Sequence, residues 1–155
     1  MVFINKLSDG INSVAEHLAI ILLAVMSLLT FGGVIARYLF GSPIVWLYET
    51  TLVLFSWAIF LGVSIAFKQG AHIRLDLIDD NLSTKNTALV RTVIEIIVAI
   101  FLLIVVKDGI EIVINTMTQK YITLNLSIGW FTSAFPVCAV ISLLHLVSRN
   151  VVKDQ

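Results

Sequence analysis

The stretch Arg37-Tyr-Leu-Phe-Gly-Ser-Pro-Ile-Val-Trp-Leu-Tyr-Glu49 decides the fold, because it sets a turn and an acid between two long apolar runs. Pro43 suits the first position of a helix, where its missing N–H has no intrahelical use. Ser42 before it is a capping residue. The helix so begun carries Trp46, Glu49, Val53 and Trp57 along one side. The expectation is two apolar spans joined by a short turn helix, with a carboxylate at the mouth of the second span.

Composition sets the class. The chain has 155 residues, 59% hydrophobic and 13% charged, and its mean hydropathy is +1.01. Those values belong to an integral membrane protein rather than a soluble domain. Ten basic and ten acidic residues cancel, so no basic surface points to nucleic acid. The single cysteine, Cys138, can close no internal disulfide.

Outward from the central stretch, the hydropathy predicts one all-α membrane domain, 1–155, with four spans at about 14–36, 45–67, 88–106 and 126–147. Residues 1–13 read as a polar lead lying on the membrane surface. The first run is longer than a signal-peptide core and no small-residue cleavage site follows it. Small residues recur at helical spacing in Gly32/Ala36, in Ala58/Gly62/Ala66 and in Ala134/Cys138/Ser142, where another helix can approach closely. Pro136 is expected to kink the last span. The third helix continues past Lys107, Asp108 and Glu111 towards Asn115. With four spans, both termini share a side with the loop between the second and third. That side holds Lys6, Lys68, Arg74, Lys85, Arg91, Arg149 and Lys153, against Arg37, Lys107 and Lys120 opposite. The positive-inside rule then places both termini in the cytoplasm.

Chemistry inside such a domain would show as ionisable residues at mid-span, where each costs about 2.5–3.5 kcal/mol. Glu49 and Glu95 lie near span ends instead. A self-sufficient small exporter or channel needs a carboxylate well inside its first span, and that span has none. A haem anchor needs two histidines facing each other at one depth, whereas His17, His72 and His145 sit at span ends or in a loop. There is no zinc spacing, no phosphate-binding glycine loop and no nucleophile beside a base. The residues read as a membrane scaffold rather than an enzyme, with the exporter, channel or haem anchor as the alternative.

The ordered set Arg37-Tyr-Leu-Phe-Gly-Ser-Pro43, Trp46-x-x-Glu49, Trp57, Gly62 and Gly70-Ala-His72-Ile-Arg-Leu-Asp76 resembles the small membrane subunit of tripartite ATP-independent periplasmic (TRAP) transporters. The likeness covers essentially the whole chain, including Pro136 in the apolar fourth helix. Tyr48 departs from it, standing where the family often has a second acid. The resemblance implies a four-span bacterial inner-membrane subunit that braces a large multi-span partner and helps dock a periplasmic substrate-binding protein. It also implies sodium-coupled uptake of an organic acid, such as sialic acid or a dicarboxylate. No cofactor is expected in this chain, the sodium ions belonging to the large subunit.

The residue roles follow as expectations. Arg37 either pairs with Glu49 across the turn or reaches to lipid phosphate or a partner. Trp46 and Trp130 read as aromatic-belt anchors or partner contacts, and Trp57 as packing against a neighbouring helix. Gly62 and Pro136 shape helix contacts. His72, Arg74 and Asp76 hold the inner loop against a partner or lipid, or are solvated there. Glu95 pairs with Arg91, four residues away, or with a partner chain. Lys107, Asp108 and Glu111 are candidate periplasmic docking residues.

Overall fold

Apolar residues at Leu7, Ile11, Val14 and Leu18 already recur at helical spacing, and helix α1 runs unbroken from Val2 to Leu39. The lead expected to lie apart on the surface is therefore the first part of α1. Its 38 residues span about 57 Å, against a hydrocarbon core of about 30 Å. The computed structural model describes residues 2–69 and 84–153, with side chains over 6–69, 90 and 92–149.

Gly41 takes a left-handed φ of +63°, which glycine adopts without steric penalty. The Ser42 N–H then turns back to the Ala36 carbonyl at 3.1 Å, closing the end of α1. Residues 42–45 form no helix, and α2 begins at Trp46 and runs to Gln69. This corrects both the turn helix and the start at Pro43. Because α2 starts at Trp46, Ser42 stands four residues before it and is not the residue that caps its entry.

Helix α3 spans Thr84–Thr116, reaching beyond Asn115 as its sequence pattern predicts and containing the whole of the expected third span. A four-residue helix α4, Gly129–Thr132, precedes α5, Ala134–Lys153. Three helical stretches, Lys6–Leu39, Trp46–Gln69 and Gly129–Arg149, are long and apolar enough to cross a membrane by length and composition. Among the described residues the one strand-like pairing is an isolated antiparallel bridge between Lys120 and Ser127.

The long helices form a row. Helix α1 packs on α2, α2 on α5 and α5 on α3, while α1 touches α5 only lightly. Helices α1 and α3 thus stand at opposite ends. One apolar cluster joins Ala15, Ala19, Leu61 and Cys138, and a second joins Phe67, Leu102 and Ala139. Ala134, Cys138 and Ser142 are buried, as the small-residue spacing predicts, and His145 continues their stripe with no exposed surface. Most large apolar side chains of α1 and α3 face outward.

Candidate functional site

At one end of the helix axes, Glu49 in the first turn of α2 receives donors from the turn between α3 and α4. The Thr123 N–H lies 3.0 Å and the Leu124 N–H 2.9 Å from Glu49 Oε2, and the Thr123 hydroxyl bonds the same oxygen. The turn is shaped by a Tyr121 N–H bond to the Leu126 carbonyl at 2.9 Å and an Ile128 N–H bond to the Gln119 carbonyl at 2.9 Å. Asn125 supplies its left-handed residue at φ +51°, a conformation asparagine tolerates. Ile122, beside Thr123, is 96% exposed. Burial, then the Glu49 carboxylate and the Tyr48 phenol, push the Tyr121 phenol above its ordinary 10.0.

Sequence reasoning offered Arg37 as the partner of Glu49. The structure gives that carboxylate to Thr123 and Leu124, and among the described residues Arg37 makes no ion pair with it. Arg37 is exposed beside the turn. The signal missed was Thr123-Leu124 in a loop 74 residues away, which no local spacing reveals.

Pro136 sits in the first turn of α5 and is buried. It has no N–H to offer the Thr132 carbonyl and its ring crowds that oxygen, so the helix is interrupted at Ser133, between α4 and α5. The interruption leaves carbonyls in an apolar setting, where unpaired ones are costly. Helix α2 supplies the donors: Trp57 Nε1 bonds the Trp130 carbonyl at 2.9 Å, and the Ser56 hydroxyl bonds the Phe131 carbonyl at 3.0 Å. Trp57 therefore packs on a neighbouring segment of its own chain, with its polar edge satisfied. Behind the proline, a Cβ on Gly109 would lie 3.2 Å from Pro136 Cβ and Cδ, so α3 and α5 touch there at close range.

The opposite end of the helix axes holds a partly buried polar chain. Ser8 Oγ lies 2.8 Å from His145 Nδ1, Lys68 Nζ donates to the same Ser8 oxygen at 2.8 Å, and Lys68 pairs with Asp9 at 2.6 Å. Three helices meet through these side chains. Nearby, Arg149 of α5 pairs with Glu95 of α3 at 2.9 Å, both side chains under one-fifth exposed. The i,i+4 spacing pointed to Arg91 for Glu95; Arg149, 54 positions on, supplies the ion pair, and the Arg91 side chain lies outside the described residues. Ser8, His145 and Arg149 were not singled out as site residues, because each depends on contacts between distant helices.

The remaining candidates are scattered. Trp46 and Trp130 are about half exposed. Lys107, Asp108 and Glu111 are exposed along α3. His72 and Asp76, with Arg74, lie outside the described residues. Gly62 is exposed and a Cβ there would meet nothing within 4 Å, so packing inside this chain does not demand a glycine. It lines an open apolar groove of about 400 Å³ with Leu23, Ala58 and Ala66. A Cβ at Gly32, expected at a close approach, would likewise meet nothing within 4 Å; the close approach falls on Gly33, where a Cβ would lie 3.0 Å from Leu47 Cδ2. Among the described residues no group of three His, Cys, Asp or Glu side chains is placed to hold a metal.

The architecture defines an all-α membrane protein in which polar side chains knit helices together. The chain belongs to the DctQ-component family of tripartite ATP-independent periplasmic transporters, which it matches over residues 26–155. It is 35% identical over 74 residues to the small permease protein of the C4-dicarboxylate TRAP transporter of Vibrio cholerae, a match covering 48% of this chain and 32% of that relative. It is 23% identical to the small permease protein of the sialic acid TRAP transporter of the same organism, over 90% of this chain and 80% of that one. A Haemophilus influenzae sialic acid TRAP transporter permease protein is 21% identical over 98% of this chain, which spans only 24% of that relative's length.

Proposed function

We propose that this chain is the non-catalytic small membrane subunit of a sodium-coupled TRAP transporter for organic acids. In this reading it crosses the bacterial inner membrane four times with both termini in the cytoplasm. It braces a large multi-span subunit that contains the transport path, and helps form the docking face for a periplasmic substrate-binding protein. The acid is of the dicarboxylate or sialic acid type, the two classes named by its relatives.

The observation that carries the reading is the row itself. The described helices pack in succession, α1 on α2, α2 on α5 and α5 on α3, whereas a solute path needs surfaces on every side of it. The polar groups at the two ends are engaged with each other: Glu49 with the 121–125 turn, Lys68 with Asp9 and Ser8, and Arg149 with Glu95. A stationary frame for a moving transport domain requires that kind of internal commitment. The Haemophilus permease supports a large partner, because its chain is about four times as long as the region this one matches. Lys107, Asp108 and Glu111 are exposed and serve as the docking candidates for the soluble component.

Tagged chain drawn from its native membrane in mild detergent, followed by mass identification of what stays bound, tests the proposal. A stoichiometric membrane protein of roughly a dozen spans is the expected companion. A lone oligomer that moves solute by itself in liposomes overturns the reading.

A further inference from the structure

The N-terminal part of α1 leaves a groove that the proposed function does not use. It has a volume of about 440 Å³ and is lined by Lys6, Gly10, Val14 and Leu18 of α1, Leu61 of α2 and Ile141 of α5. Apart from Lys6 these side chains are wholly apolar. From Lys6 to Leu18 the helix rises about 18 Å, close to the half-thickness of about 15 Å that one leaflet contributes to the core.

The groove is an open apolar trough of about 440 Å³, running along the first turns of α1. A single methylene chain, whose carbons sit about 4 Å from their neighbours, fits. Its walls offer water few hydrogen-bond partners.

Charge decides the head group. Lys6 stands at one end of the groove, exposed, and makes no ion pair among the described residues. Asp9, one turn on, is already held by Lys68 at 2.6 Å. The end of the groove therefore carries a positive charge that no described acid pairs with, where an acyl chain would present its phosphate. Basic pockets between membrane helices recognise anionic head groups on this principle.

We infer that this groove is a binding site for one anionic phospholipid, with an acyl chain along Val14 and Leu18 and its phosphate on Lys6. The site is built by α1, α2 and α5 of this chain alone and does not depend on the large subunit.

The test is native mass spectrometry of the full chain released from nanodiscs of phosphatidylcholine with rising phosphatidylglycerol. One phosphatidylglycerol stays bound in preference to phosphatidylcholine. Lys6→Gln lowers that preference about fivefold, the worth of one basic side chain at a membrane surface. Gly10→Leu fills the groove and loses the retained lipid whatever its head group; a Cβ at Gly10 meets nothing within 4 Å, so helical content and melting temperature stay near wild type. Equal retention of the two lipids by wild type overturns the inference, as does retention unchanged in both variants. So does a photo-crosslink from position 10 that captures a protein helix instead of lipid. Lys6→Gln, on an exposed side chain, keeps the inference testable if Gly10→Leu fails to fold.

Discussion

Glu49 and Leu124 are 75 positions apart, and the carboxylate of one accepts the backbone N–H of the other at 2.9 Å. With Thr123 adding its own N–H at 3.0 Å and its hydroxyl, one acid on α2 fixes the turn that leads from α3 into α4. Charge-assisted bonds to backbone N–H groups are among the stronger hydrogen bonds. Glu49→Ala should free the turn, and hydrogen exchange at Thr123 and Leu124 should rise to the rate of neighbouring unbonded amides. Under the proposed function, assembly or transport weakens while substrate preference stays as it was. A changed preference would count against the scaffold role.

The same carboxylate acts on Tyr121. Its phenol is raised above 10.0 by burial first and by Glu49 second, so the folded turn favours the neutral form. That contribution is fully present below pH 10.0 and is lost as pH rises through the raised value. Glu49→Gln should therefore bring the Tyr121 transition down towards 10.0 in a difference titration of tyrosine absorbance. An unmoved transition would show that burial and Tyr48 set it without Glu49.

Glycines 109 and 62 separate contacts inside the chain from free surface. Gly109→Leu forces a side chain against Pro136, whose ring atoms stand 3.2 Å from a Cβ there. Overpacking of this kind costs about 1–3 kcal/mol, which a melting curve in detergent resolves. Gly62→Ala meets nothing within 4 Å and should leave the melting of the isolated chain unchanged. Equal losses at both positions would mean that the Gly109–Pro136 approach is not a packing constraint.

Removing one member of the Glu95–Arg149 pair strands a charge that is mostly buried. Arg149→Met should cost about 3 kcal/mol. Glu95→Leu on top of it should recover part of the loss, because the second change removes the stranded acid. Strict additivity of the two changes, measured as a double-mutant cycle, would show that the pair is not coupled.

Ser8 and Asp9 should rank differently although they are neighbours. Ser8→Ala removes the oxygen shared by His145 and Lys68 and leaves buried His145 Nδ1 without that partner, a loss of about 1–3 kcal/mol. Asp9 is two-thirds exposed, and Asp9→Asn should cost about 1 kcal/mol or less. Thermal melts of the two variants check the order.

The helices and the membrane class were legible because hydropathy and helical spacing are local properties. Pro136 was read as a kink and lies at the interruption between α4 and α5, since the loss of its N–H acts within four residues. The surface lead failed because its polar residues masked the Leu7, Ile11, Val14 spacing that continues α1. The turn helix failed because Gly41 and Ser42 serve the end of α1, a choice that depends on one left-handed residue. The partners of Glu49, His145 and Arg149 were out of reach for a different reason: each lies on another helix or in a distant turn, more than fifty positions away. Pairing at that distance is set by the order of helices in the row, which no spacing encodes.

A row one helix thick is mechanically a plank. It resists bending edgewise, where α1 and α3 stand far from its mid-line, and yields broadside, where nothing lies behind it. Any neighbour seated against its flat side would gain a straight edge and would in turn supply depth. Under the proposed function, two such bodies bonded face to face would form a beam stiffer than either.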